Sequence, residues 1–243
     1  MSPIKVSTKS ILCKFEHIYK IFILQILIME KDLSNYRKSY EKSELLLNEV
    51  PENPLELFQK WFYEIDMHFA EDETNAMTIS TIGLDGYPKN RVVLLKKYTY
   101  EGFIFYTNYN SEKGKAIDAN PNVCLSFFWH GAERQIIIKG KVEKIAKNLS
   151  DGYFESRPRG SQLGAIVSNQ SEVVMNRQQL EDKLLKLEIE YQGKEIPRPE
   201  YWGGYIVKPV EIEFWQGRPN RLHDRILYKL QDDYSWQINR LSP

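Results

Sequence analysis

Apolar positions recur along the chain with two different periods, and the change between them marks its organisation. Leu55, Phe58, Phe62, Ile65 and Phe69 follow at three- and four-residue steps behind Asn53-Pro54, an N-capping residue and a first-turn proline, which predicts an amphipathic helix with a core-facing stripe. From Ala76 the period drops to two. AMTISTI, Asp85-Gly86 and RVVLLK predict a hairpin, with Asp-Gly supplying the positive φ angles of a tight two-residue turn. Residues 102–107, 123–129 and 134–145 are rich in β-branched and aromatic side chains and predict further strands, with a short helix over 111–119 stopped by Asn120-Pro121. Helices are predicted over 149–156 and 173–191, the second closed by Gly193, and short strands over 205–208, 211–215, 225–230 and 236–241. The fold class is mainly antiparallel β with inserted α-helices, and a closed or nearly closed barrel is the arrangement that removes exposed edges. No internal repeat or Gly/Ser linker interrupts 53–243, so it reads as a single domain behind a polar arm over 29–52.

The first 28 residues depart from this pattern: Lys5, Lys9 and Lys14 precede an apolar run, Ile18 to Met29, broken by Lys20 and Gln25. The run is short for a transmembrane helix and lacks the small-residue cleavage site of a signal peptide. Two readings stay open: an extension outside the working protein, which would start at Met29, or, less favoured, a targeting or anchoring segment.

Charge and rare residues narrow the chemistry. Lys+Arg and Asp+Glu balance at 33 each in 243 residues, so no overall field draws the chain to nucleic acid or to an anionic membrane, and local clusters must hold any bound anion. Cys13 and Cys124 lie far apart, which supports no disulfide framework and fits a reducing cytoplasm. None of the four histidines is spaced as a metal pair, and no metal site is expected. GxGxxG after a strand, GxxxxGKS/T, HExxH and GxSxG are all missing, which removes most support for Rossmann, P-loop, zincin and α/β-hydrolase readings.

Three basic clusters remain. Arg91 and Lys96 bracket VVLL, and five residues apart on a strand they would project to opposite faces and could serve two neighbouring sites; two solvated charges are the plainer reading. In YFESRPRGSQLGA, Tyr153, Arg157 and Ser161 fall four apart and Pro158 must end any helix they begin. Arg157 and Arg159 with these hydroxyls could grip a phosphate, or could simply complement a helix dipole. EFWQGRPNRLHDR brings Trp215, Arg221, His223, Asp224 and Arg225 into one strand-loop-strand passage, combining an aromatic face, fixed cations and a titratable imidazole.

Taken in order, RVVLLK (91–96), FYTN (105–108), ERQ (133–135), YFESRPRGSQLGA (153–165), SNQS (168–171), WGG (202–204), EFWQG (213–217) and RLHDR (221–225) resemble the pyridoxamine 5′-phosphate oxidase family, from about Tyr36 to Pro243. The resemblance implies an FMN-binding split β-barrel, a homodimer, and one FMN per subunit in a groove between the two chains. It implies oxidation of pyridoxamine 5′-phosphate and pyridoxine 5′-phosphate to pyridoxal 5′-phosphate with molecular oxygen, in vitamin B6 biosynthesis and salvage. Carried over residue by residue, FMN contacts fall on Arg91, Val92, Val93, Leu94, Leu95, Lys96, Tyr106, Thr107, Lys113, Gln135, Gln170, Ser171, Trp215 and Arg225. Substrate phosphate falls to Lys96, Tyr153, Arg157 and Ser161, the pyridine ring to Arg221 and His223 as the catalytic pair, and a covering Arg-x-x-Tyr to Arg37 and Tyr40. Glu112 stands where many members carry a second basic residue, and is expected to turn to solvent because adjacent helix residues do not share a face. Another split-barrel flavoprotein such as a flavin reductase, or a carrier without catalysis, are the competing readings; RPRGSQ and RLHDR speak against the first, and the ring-side Arg221 and His223 against the second.

Overall fold

The computed structural model describes residue 19, residues 31–69 and residues 73–243, and the readings of the N-terminal apolar run lie outside them. The chain divides into two compact units, Met1–Ser39 and Tyr40–Pro243. The sheet and its helices belong to the second.

Helix α1, Pro54–His68, begins where the sequence predicts, with the Asn53 side chain accepting the N–H of Leu55. Leu55, Phe58 and Ile65 of its stripe are buried, and Phe62 and Phe69 are partly so. Phe58 meets Phe103 at 4.9 Å and Phe127 at 5.4 Å between ring centroids, so α1 plugs the barrel with aromatic contacts. Each such side chain contributes about 1.5–3 kcal/mol by leaving water.

The sheet is antiparallel throughout: β1 Ala76–Ile82, β2 Pro88–Leu94, β3 Lys97–Thr99, β4 Gly102–Asn108, β5 Asn122–Trp129, β6 Arg134–Lys144, β7 Trp202–Gln216, β8 Asp224–Leu230 and β9 Trp236–Leu241. Hydrogen-bonded order runs β2-β1-β5-β6-β7-β4-β3, with β8 added beside β7 and β9 beside β8. Helices α2 Glu112–Ala119, α3 Lys147–Ser156, α4 Arg159–Val167 and α5 Arg177–Glu190 fill the connections.

Three expectations change. The β1–β2 hairpin does not turn on two residues: Ile82 pairs with Pro88, and Gly83 to Tyr87 make the turn, with Gly86 alone in it at positive φ (81°). The two short strands expected over 205–215 are one strand, β7, which carries Pro209 through a register shift opposite Lys139 and Gly140. Proline can pass there because a bulge needs no ladder N–H. The helix expected from 173 starts at Arg177, where Asn176 caps it through the N–H of Gln179.

β7 explains why the barrel splits. Its first half lies between β6 and β4, its second half between β6 and β8, so one long strand changes partners midway.

Candidate active site

β2 stops at Leu94, and that break sets the layout. Leu95 turns into the core, 4% exposed, with its N–H on the Asn75 carbonyl at 2.8 Å and its own carbonyl accepting from Asn75 Nδ2 at 2.9 Å. Leu95 does not line the cavity that its neighbours line, and its backbone N–H and carbonyl are both paired with Asn75. The chain resumes with the Lys96 N–H on the Ile104 carbonyl at 2.8 Å. Arg91 and Lys96 are thereby delivered to one cavity of about 530 Å³, together with Val92, Val93 and Leu94. Strand parity predicts opposite faces, but parity holds only while the strand continues.

The second wall comes from Tyr106 and Thr107 on β4, Lys113 on α2, and Gln170 and Ser171 beyond α4. Ser111 caps α2 through the N–H of Gly114, which turns Lys113 in the first helical turn toward the cavity. Lys113 is 8% exposed, and its ammonium donates to Gln170 Oε1 at 2.8 Å, Thr107 Oγ1 at 3.3 Å and Ser111 Oγ at 3.4 Å, all neutral acceptors. Burial above all, then repulsion by Arg91, lowers its pKa to about 8, with Glu112 opposing. A buried cation held only by neutral groups favours an anion beside it.

Glu112 is exposed to solvent, as expected, with its side chain 47% accessible. It lies on the rim, where the ammonium of Lys89 meets its carboxylate at 2.5 Å. The departure is answered locally, by a lysine two residues before Arg91 that no motif marks and that strand alternation alone could have found.

The third wall is aromatic. Tyr106 and Tyr153 stack at 3.8 Å, and Trp202 lies nearly parallel to both, at 5.7 and 6.2 Å. The Arg157 guanidinium sits 4.5 Å from the Trp202 ring centroid, while its Nη1 is buried without a hydrogen-bond partner. Burial lowers its pKa. Such an orphaned donor costs about 1–3 kcal/mol until an acceptor arrives. Trp202 was visible only as part of WGG; its contact with Arg157 crosses 45 residues and has no local signal.

Pro158 does end a helix, since α3 closes at Ser156, but α4 opens at once at Arg159. Tyr153, Arg157 and Ser161 therefore share no helical face. Ser161 lines a neighbouring cavity of about 270 Å³ that shares Arg157, Gln170 and Trp202 with the first. Arg159 points elsewhere, its guanidinium donating to the carbonyls of Lys194 and Tyr191, so the grip expected from two arginines has one.

A second cluster stands on the far half of β7. Gln135, Trp215 and Arg225 are side by side in register across β6, β7 and β8. Arg225 forks onto Glu213 at 2.7 and 3.1 Å. Trp215 lies 4.7 Å from His223 and 5.7 Å, edge-on, from Tyr40, which is itself 5.8 Å from His223. The Arg218 N–H donates to His223 Nδ1 at 3.0 Å, so the neutral ring carries its proton on Nε2. Burial lowers the His223 pKa, the Arg221 charge adds to this, and Asp224 opposes it. Arg221 is exposed and, with Asn220, left-handed (φ 62° and 55°), strain of the kind that functional turns retain. Arg37 falls in the Met1–Ser39 unit. Neither Gln135, Trp215, Arg221, His223 nor Arg225 lines the 530 Å³ cavity of its own chain.

Residues 67–190 match the family profile described as pyridoxamine 5′-phosphate oxidase, and residues 202–243 match the pyridoxine 5′-phosphate oxidase C-terminal dimerisation region. The pyridoxine/pyridoxamine 5′-phosphate oxidase of Flavobacterium psychrophilum is 71% identical over 213 residues, 88% of this chain and 100% of that protein. The chain belongs to the pyridoxamine 5′-phosphate oxidase family. The protein of that name from Nostoc sp. PCC 7120 is 50% identical over 215 residues, 88% of this chain and all of its own length. Among solved structures, PhzG from Burkholderia lata 383, in complex with tetrahydrophenazine-1-carboxylic acid, aligns with a TM-score of 0.76 at 26% identity, covering 84% of this chain and 100% of that one. A pyridoxamine 5′-phosphate oxidase-related, FMN binding protein from Nostoc punctiforme shares the fold, with a TM-score of 0.61 at 13% identity over 76% and 96% of the two chains. The architecture is thus the split barrel of the pyridoxamine 5′-phosphate oxidases. In that family's terms, most of the cavity wall comes from the segment 67–190, while Trp215, Arg221, His223 and Arg225 fall within the dimerisation region.

Proposed function

We infer that the chain is an FMN-dependent oxidase of pyridoxamine 5′-phosphate and pyridoxine 5′-phosphate, forming pyridoxal 5′-phosphate with molecular oxygen as electron acceptor, as a cytoplasmic homodimer. The observation that carries this reading is a pair of cations on one cavity: Lys113, buried and hydrogen-bonded to neutral groups, and Arg157, half-buried with an unpartnered, buried Nη1. Cofactor and substrate each bring a phosphate monoester of about −1.5 to −2 charge, and each cation answers one of them. The residues fit the group: the cavity is large enough for a cofactor-sized ligand, is lined by Arg91, Lys96, Lys113 and Arg157, and is walled by aromatic rings.

In this reading Lys113 and Arg91 hold the FMN phosphate, with Thr107, Gln170 and Ser171 beside them. Val92, Val93, Leu94, Lys96 and Tyr106 line the cofactor's path. Gln135, Trp215 and Arg225 reach it from the partner subunit: Trp215 and Arg225 lie in the dimerisation region and Gln135 is paired in register with Trp215, so a second copy can present all three to this cavity. Lys96, Tyr153, Arg157 and Ser161 hold the substrate phosphate. Arg221 and His223 face the pyridine ring, with Tyr40 over it.

Bound FMN supplies the two-electron acceptor that oxidation at the substrate's C4′ carbon requires. The protein's own part is alignment. Arg157 is held over the Trp202 ring, so its guanidinium is partly pre-positioned before it meets a phosphate. His223 offers Nε2–H as a donor, and its Nδ1 is occupied by the Arg218 N–H. Protonating Nδ1 would break that bond, and the lowered pKa works in the same direction. His223 therefore orients the substrate ring as a neutral donor and does not serve as proton acceptor.

Purified protein reconstituted with FMN is expected to lose flavin absorbance when pyridoxamine 5′-phosphate is added without oxygen, and to regain it in air with release of hydrogen peroxide. Retained flavin colour with both phosphorylated substrates would overturn the reading.

A further inference from the structure

One buried carboxylate outside the residues assigned so far sits where two parts of the site meet. Glu133 follows the turn His130–Ala132, is 2% exposed and has a left-handed backbone (φ 58°). Its Oε2 accepts two consecutive backbone N–H groups, from Glu41 at 2.9 Å and Lys42 at 3.2 Å. Its carbonyl accepts the N–H of Gly217 at 2.8 Å and the side-chain amide of Gln216 at 3.3 Å. One residue thus ties the strap that begins at Tyr40 to the end of β7.

Both ties lead to His223. Tyr40 immediately precedes the anchored amides and places its ring 5.8 Å from His223 and 5.7 Å from Trp215. Gly217 immediately precedes Arg218, whose N–H donates to His223 Nδ1. A Cβ on Gly217 would come within 2.8 Å of Cβ and Cγ of Tyr40, so the strap runs against bare backbone. Beyond Tyr40 the strap stays fastened: Arg218 Nη1 donates to the Ser43 carbonyl at 3.1 Å, and the Leu45 N–H donates to Asp224 Oδ2 at 3.1 Å. Taking a carboxylate out of water is costly, and the two donated N–H groups help to offset that cost while the strap is seated. The strap and Glu133 therefore hold each other.

We propose that Glu133 is a positioning residue for the oxidation: it seats Tyr40 against Trp215 and His223, and so fixes the wall that receives the substrate ring. The inference rests on the oxidase reading and deepens it. Its test reads the anchor and the reaction separately. In Glu133→Ala, amide hydrogen exchange at Glu41 and Lys42 accelerates at least tenfold, and kcat/KM for pyridoxamine 5′-phosphate falls on the order of tenfold or more while FMN content stays at the parental level. Glu133→Gln, whose side-chain oxygen can still accept both N–H groups, recovers most of both. In a Tyr40→Ala background, Glu133→Ala brings no further kinetic loss, because the two act as one unit. Additive losses in that double variant would overturn the proposal, as would parental kinetics in Glu133→Ala or loss of FMN in Glu133→Gln. A parent that binds FMN but oxidises neither substrate would defeat the oxidase reading instead, and exchange at Glu41 and Lys42 would still decide whether Glu133 holds the strap.

Discussion

Lys113 carries a pH signature that separates its role from those of its neighbours. Its ammonium is lowered to about 8 from 10.5, so between those values the unfolded chain binds a proton that the folded, ligand-free chain does not. Stability of the ligand-free protein should therefore rise with pH across that window, in the direction set by the excess protons of the unfolded state. A bound phosphate pulls the other way by restoring the charge. FMN affinity, measured by fluorescence titration, should be greatest below pH 8 and fall as pH rises through it, and Lys113→Met should weaken binding about tenfold or more while flattening the pH dependence. A pH profile unchanged by that substitution would remove Lys113 from the phosphate site. Arg157 and His223 should differ in kind. Arg157→Ala removes binding common to ground and transition states and should mainly raise KM, whereas His223→Ala should slow flavin reduction at saturating substrate, because alignment counts most in the transition state. Anaerobic stopped-flow measurement with pyridoxine 5′-phosphate distinguishes the two; parental reduction rates in His223→Ala would make the residue part of a structural turn.

Elements were legible wherever one face is buried and a local signal closes the end. α1 shows both, with Asn53-Pro54 at its start and Phe58 and Ile65 fully buried on its stripe. β5 alternates between buried and open positions through Phe127 and Trp129, as a half-buried strand must. What sequence could not show depends on distant partners. The break after Leu94 is made by Asn75 capturing Leu95 from 20 residues away, and it decides that Arg91 and Lys96 share a cavity. The continuity of β7 through Pro209 depends on its own bulge at Val210, opposite Lys139 and Gly140 of β6. The union of Arg157 with Trp202 depends on α3 packing beside β7. Basic and aromatic residues of the site could thus be named one by one, while their grouping could not. α2 offers a test of grouping, because a Cβ on Gly114 would lie 1.9 Å from the Tyr109 carbonyl oxygen. Gly114→Ala must displace the helix start that aims Lys113, costing about 1–3 kcal/mol of stability and weakening FMN binding in step. Parental melting temperature together with parental FMN affinity would show that the contact relaxes harmlessly.

At the scale of the whole molecule the candidate site is in two halves, a cavity facing Arg157 and Lys113 and a cluster around Trp215 and His223, and the second half lies in the dimerisation region. If each cavity is completed by the other subunit, two defective variants can repair each other. Mixing Arg157→Ala with His223→Ala under conditions that exchange subunits should restore roughly a quarter of parental activity, since half of the dimers are mixed and each holds one intact site. No recovery despite verified exchange would place both halves in one subunit. β7 has a further consequence, for the chain as it is made. β4 is complete once Asn108 has left the ribosome, and β6 once Lys144 has, yet both must wait for β7 before either gains that neighbour. Through the synthesis of everything from 145 to 201, the nascent chain carries two unsatisfied strand edges flanking a gap one strand wide. Such edges invite pairing with other chains. A chain halted at residue 201 should accordingly accumulate bound to chaperones or as aggregate, and only release of the segment through residue 216 should let the barrel close over α1.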